Sequence, residues 1–263
     1  MYRRVILTFL ISVLPNAVAT AQNASNDSET ILALKADLKA NPGDTIDRLN
    51  HEELGKLIKH GQYDAVEELA ITGTLALPAD TWRVEVLQRY RIEALLAQHK
   101  NDEALRAAKG LFNVCGMGYV KDALPALFQA LAAARPQDPS LVPRFKMQIL
   151  AGAREDDDER KREWEKVGGN AIMNTIEADP GPYEAAIKAR AGKTAWRDLY
   201  GTGNLYLLSG EIANAKAIFD QVYAGAPEGE LRYSSEAKAK LIKAEDGAVG
   251  RANHFVRSIK PPQ

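Results

Sequence analysis

The stretch WRDLYGTGNLYLLSGEIANAKAIFDQVYAGAP, residues 196–227, constrains the chain's fold more than any other. Gly203 is followed three residues later by Tyr206, and Gly210 then interrupts a helical pattern. Ala215 opens a second helical face, Phe219 follows four residues on, and Pro227 ends the unit. The spacing reads as two antiparallel helices in close contact. Gly203 lets the backbones approach, Tyr206 and Phe219 fill the wedge, and Ala215 is small where the first helix crosses. Pro227 stops the second helix. A single pair of this kind cannot bury its own apolar face, so it calls for neighbours.

Those residues resemble a tetratricopeptide repeat, a family whose pattern has a glycine, a tyrosine, a small residue, an aromatic and a terminal proline at these separations. Two positions depart from it: Leu199 stands where the family prefers tryptophan, and Thr202 where it prefers leucine. Weaker echoes occur at HGQYDAVEELA (60–70) and HKNDEALRAAKGLF (99–112), where Ala65 and Ala104 lie 39 residues apart, against about 34 in the family. The resemblance implies an all-α fold, antiparallel helical hairpins stacked as a right-handed solenoid, irregular in its middle. It also implies a concave groove that takes an extended peptide or a partner helix.

The rest of the chain agrees with helix. Alanine, leucine, glutamate and lysine dominate, and alternating β-branched runs are nearly absent. Helices are predicted over 30–40, over 50–61 from an Asn50/Glu53 capping box, and over the stretch from Gln62 that stops before Gly73. Further helices are predicted over 80–100 with Asp80 as N-cap, over 101–114, over 121–135 with Pro125 in the first turn, and over 138–153. Residues 154–167 are mainly charged, with acid before base at i,i+4, and read as a solvated helix rather than a calcium loop. Gly168-Gly169 and Asp179-Pro-Gly-Pro182 are the candidate hinges between an N-terminal region, 30–178, and a C-terminal one, 183–258; 259–263 reads as a disordered tail.

The first residues carry Arg3 and Arg4, a short apolar run from Val5 to Leu14, and Ala19-Thr-Ala21. That is the form of a secretory signal peptide, 1–21, with a flexible leader at 22–29. The run is too short for a spanning helix. The expectation is export to the periplasm or beyond in a bacterium, with no membrane insertion after cleavage. A formal net charge of −1 argues against nucleic acid as a partner.

No catalytic constellation is legible. His51, His60, His99 and His254 have no helical metal spacing, so neither a metal nor a cofactor is expected. GMG and GTGN lack the context of a phosphate loop. Trp82, Trp164, Trp196, Tyr200 and Tyr206 have the look of a sugar platform but stand at helical spacing, where core packing is the plainer reading. Cys115, the single cysteine, falls in the last turn of a helix before Gly116 and reads as a buried structural thiol.

If Leu199, Gly203 and Tyr206 pack inward, Arg197, Tyr200, Asn204 and Leu207 are offset toward the other face. The resemblance makes that face the groove, with Asn204 bonding a peptide backbone; Arg197 is placed to meet a carboxylate. The expected function is a non-catalytic scaffold that binds a protein or peptide. The alternative is an enzyme or accessory domain acting on polysaccharide or peptidoglycan, with a carboxylate in a cleft between the helical sets.

Overall fold

The computed structural model describes residues 29–115, 124–136, 168–240 and 242, and among these the regular structure is helical, with no strand. The expected signal peptide, the helices over 138–153 and 154–167 and the tail lie outside the described residues.

Helix α1 (29–40) stops at Asn41, and Pro42 opens α2 in the first-turn position that proline tolerates. Helix α2 begins at Pro42–Arg48, widens through a π segment Leu49–Glu53, and continues as Leu54–Lys59. This corrects the helix start expected at Asn50. The backbone there is already helical, and the Tyr90 hydroxyl donates to the Asn50 carbonyl at 3.1 Å. Helix α3 is Tyr63–Ala76. It runs through Gly73, the expected stop, because that glycine admits a neighbour: a Cβ there would stand 2.8 Å from Leu87 Cδ1.

Helix α4, Thr81–Ala97, is capped by Asp80, whose carboxylate accepts from Arg83 N at 3.2 Å. Helix α5 is Asn101–Cys115 and α6 is Leu124–Ala134. Two short helices follow, α7 (Gly169–Met173) and α8 (Glu184–Ala189). Then come α9 (Trp196–Ser209), α10 (Ile212–Gly225) and α11 (230–240).

Consecutive helices from α3 to α6 pack on one another, as do α9 and α10, and α5 also packs on α9. That last crossing is tight: a Cβ on Gly110 would stand 2.7 Å from the Leu208 carbonyl oxygen. One apolar cluster joins α1–α4 around Leu38, Leu49 and Leu87, and a second joins α4–α6 around Phe112 and Leu127. A third gathers α9, α10 and α11 around Phe219, and takes Val84 and Val114 from the N-terminal helices. None of the helices among the described residues is long and apolar enough to cross a membrane.

The turn Asp179–Pro182 is tied to α4 through Arg91. Arg91 Nη2 reaches Asp179 Oδ2 at 3.2 Å, and Arg91 Nη1 donates to the Tyr183 hydroxyl at 3.1 Å.

Candidate functional site

Helix α9 organises the candidate site. From Leu199 to Ser209 every residue but Tyr206 is buried, the signature of a helix with packing on all sides. One side faces α10. A Cβ on Gly203 would stand 2.7 Å from Phe219 Cε1, and Ala215 and Phe219 are fully buried. Leu199 joins Val222 and Ala226 in a small cluster against Trp196. Of the residues expected to pack the repeat, Gly203 meets Phe219 between α9 and α10, Ala215 shares the apolar cluster of Phe219, and Leu199 lies in the small cluster beside it. Tyr206 is half-buried, and the ring set against Phe219 is Tyr200, edge-on at 5.4 Å between centroids. Pro227 is exposed, just beyond α10.

The opposite side of α9 is covered by the chain itself. Of the four residues expected to line an open groove, Arg197 is exposed, whereas Tyr200, Asn204 and Leu207 are buried. Asn204, at 0 % exposure, donates from Nδ2 to the Pro78 carbonyl at 2.7 Å. Its Oδ1 accepts from Lys238 Nζ at 2.6 Å. The Tyr200 hydroxyl lies 3.4 Å from Thr81 Oγ1. The Leu207 carbonyl, which also accepts from Gly210 N at 3.1 Å, accepts from Asn113 Nδ2 at 3.0 Å, so α5 adds a bond at the end of α9. This corrects the groove expectation. The offset face exists, but the α3–α4 loop, α5 and α11 already occupy it.

Lys238 is the node of that covering. Besides Asn204, its ammonium reaches the Val114 carbonyl at 3.1 Å, in the last turn of α5, where the helix dipole favours a cation. It also lies 5.4 Å from the Tyr200 ring centroid and 5.5 Å from that of Phe219. The residue is only partly covered, yet burial of the ammonium pulls its pKa from 10.5 down to about 8. Cys115 adjoins this node at 4 % exposure. Burial first, then the Glu85 carboxylate, pushes its thiol far above the usual range.

An open cleft of about 450 Å³ lies at the C-terminal end of α9. Lys109 and Asn113 reach it from α5, Asn174 and Glu177 from the segment after α7, Ser209 from α9, and Ile242 from just past α11. Lys109 Nζ donates to Asn174 Oδ1 at 3.1 Å. A second, more open cleft of about 680 Å³ shares Gly210, Ile212 and Ile242 with the first. Gly210 has a left-handed backbone, φ +83°, which ends α9 and turns the chain into α10.

Compared with family models, curated proteins and solved structures, the chain matches none.

Sequence reasoning missed Lys109, Asn113 and Lys238. A signal existed for the first: Lys109 interrupts the small apolar run Ala107-Ala108-Lys109-Gly110-Leu111, where a solvated lysine has no place. Lys238 sits in an ordinary-looking polar run, and nothing local distinguishes it from Lys240, which is exposed.

Proposed function

We propose that this chain is an exported, non-catalytic helical-repeat scaffold that binds another envelope or secreted protein through the cleft at the end of α9. On this reading the α9–α10 pair is a tetratricopeptide-like unit and the helices around it are divergent units of a solenoid. Export rests on the leader-like first 21 residues of the sequence.

The observation that carries the reading is the placing of the cleft. It opens beside the turn of the one pair whose spacing follows the repeat pattern, and it is walled by Ile176, Ile212 and Ile242 with polar groups between them. Concave sites that mix apolar walls with a few convergent polar groups are the usual form of a recognition site. The inner face of α9 is engaged within the chain, so the cleft replaces it as the contact surface.

A photo-reactive amino acid placed at Ile212 or Asn174 in exporting cells tests this. The expected result is one dominant protein adduct, lost when Asn113→Trp fills the cleft. Adducts that are absent, or identical to those from exposed Gln129 on α6, overturn it.

A further inference from the structure

Helix α11 is attached to the body in an unusual way. Its apolar contribution to the shared cluster is small among the described residues: Ala239 and Ile242 are buried, and Leu231 is partly so. Its polar anchors are Ser235, which is fully buried, and a cation, Lys238. That ammonium meets two neutral oxygens, Asn204 Oδ1 and Val114 O, and two ring faces, Tyr200 and Phe219. An apolar residue of similar length would pack there without bringing a charge out of water. Burial that lowers the Lys238 pKa to about 8 shows that the seat holds the charge at a cost.

The joint before α11 is short and carries few contacts of its own beyond Tyr233, which donates from its amide to the Gly229 carbonyl at 3.1 Å and from its hydroxyl to Glu228 at 2.6 Å. Ala226 ends α10 with an extended backbone, Pro227 follows, and Gly229 has φ +153° with open space around it. At its other end, Ile242 forms part of the wall of both clefts.

We propose that α11 is a releasable strap that holds the inner face of α9 shut in cis. Its Lys238 fills a preformed ammonium seat made by Asn204, Tyr200, Phe219 and the Val114 carbonyl. Undocking the strap frees Tyr200 and Asn204 and removes Ile242 from the cleft. The emptied seat fits a lysine-bearing helix of the partner. The strap therefore links the two surfaces of α9: the open cleft and the covered inner face.

The inference rests on the reading of the cleft at the end of α9 as the contact surface. Crosslinking from Ile212 tests that reading, and peptide exchange tests the strap, so either can fail alone. The exchange experiment uses the full chain and a fluorescent peptide of residues 230–242. The K238A chain, with its own seat emptied, is expected to bind the wild-type peptide at least tenfold more tightly than the wild-type chain does. A peptide carrying Lys238→Ala is expected to bind the K238A chain at least tenfold more weakly, because Asn204 Oδ1 and the Val114 carbonyl lose their donor. Equal binding of both peptides, or of neither, by a K238A chain with intact helical circular dichroism overturns the proposal. Dimerisation of the wild-type chain that is lost in K238A would assign the seat to a second copy and overturn the partner-helix assignment. If K238A does not fold, hydrogen exchange on the wild-type chain decides. Amides of 231–240 exchanging at least a hundredfold faster than those of α9 support a strap, and a common rate for both overturns it.

Discussion

Gly203 on α9 faces the ring of Phe219 on α10 so closely that an added methyl would stand 2.7 Å from Cε1. Phe219 has little room to yield, since it is fully buried with Tyr200 against its edge. Gly203→Ala therefore sets overpacking of about 1–3 kcal/mol against a helix-propensity gain of about 1 kcal/mol. A net loss of stability is expected. Gly55 lies in the last part of α2 with nothing within 4 Å of its would-be Cβ. Gly55→Ala is expected to raise stability by roughly 0.5–1 kcal/mol. Urea melts of the two variants, read against the wild-type chain, should move in opposite directions.

Tyr183 is the hub of a buried polar chain. Its hydroxyl accepts from Arg91 at 3.1 Å and donates to Gln88 Oε1 at 3.1 Å, and Gln88 donates to Thr74 at 3.0 Å. Arg91 is 2 % exposed, so no water stands ready to replace a lost partner. Tyr183→Phe is expected to cost about 1–3 kcal/mol, because it leaves buried groups on two sides short of a bond. Tyr90→Phe removes one bond to the Asn50 carbonyl at a partly exposed site, and is expected to cost about 0.5–1 kcal/mol. Equal losses in denaturant melts would show that the buried chain adds nothing.

Local signals set the helices that the sequence made legible. Asp80 caps α4, Asn41-Pro42 separates α1 from α2, and Gly210 turns α9 into α10. Each depends on residues within a turn of the boundary. The failures were non-local. Gly73 resembles a stop, but Leu87 on the next helix decides that it is a point of close packing. Asn50 and Glu53 form a fair capping box, yet the helix runs through them as a π segment.

The candidate site was legible by half. Helical offset separates Asn204 from Gly203, and the two do face different neighbours. The offset does not say whether the second face is open. Its cover comes from Pro78, 126 residues away in the chain, and from Lys238, 34 residues away. A repeat pattern describes contacts within a unit. It carries no information on an N-terminal loop that folds back across that unit.

Cys115 closes α5 at 4 % exposure, with its thiol pKa raised far above the usual range by burial and by Glu85. Both the reduced thiolate fraction and the cover slow attack on a reagent. A maleimide at pH 8 is expected to label the folded chain at least roughly a hundredfold more slowly than the chain in denaturant. Rapid full labelling of the native chain would contradict the burial of Cys115.

Lys238 and Cys115 should give the stability a distinctive alkaline profile. The folded pKa of Lys238 is about 8 against an ordinary 10.5. Between those values the unfolded chain holds a proton that the folded chain has released, so stability rises with pH. The full separation corresponds to roughly 2–3 kcal/mol, after allowance for the residue's partial exposure. Cys115 acts in the other direction. Its folded pKa is raised from an ordinary 9.0, so the unfolded thiol ionises first and stability falls as pH climbs past 9. Buried Tyr183 and Tyr200, also raised from 10.0 by burial, add to that fall higher up. The wild-type chain is expected to gain stability from pH 8 to 9, level off, and then decline above about 10. In Cys115→Ala the rise should extend further before the tyrosines end it. In Lys238→Met the rise should vanish, leaving only the decline from 9 upward. Urea midpoints taken at half-unit steps from pH 7 to 10.5 distinguish the three curves, and a Lys238→Met profile parallel to wild type would remove Lys238 as the titrating group.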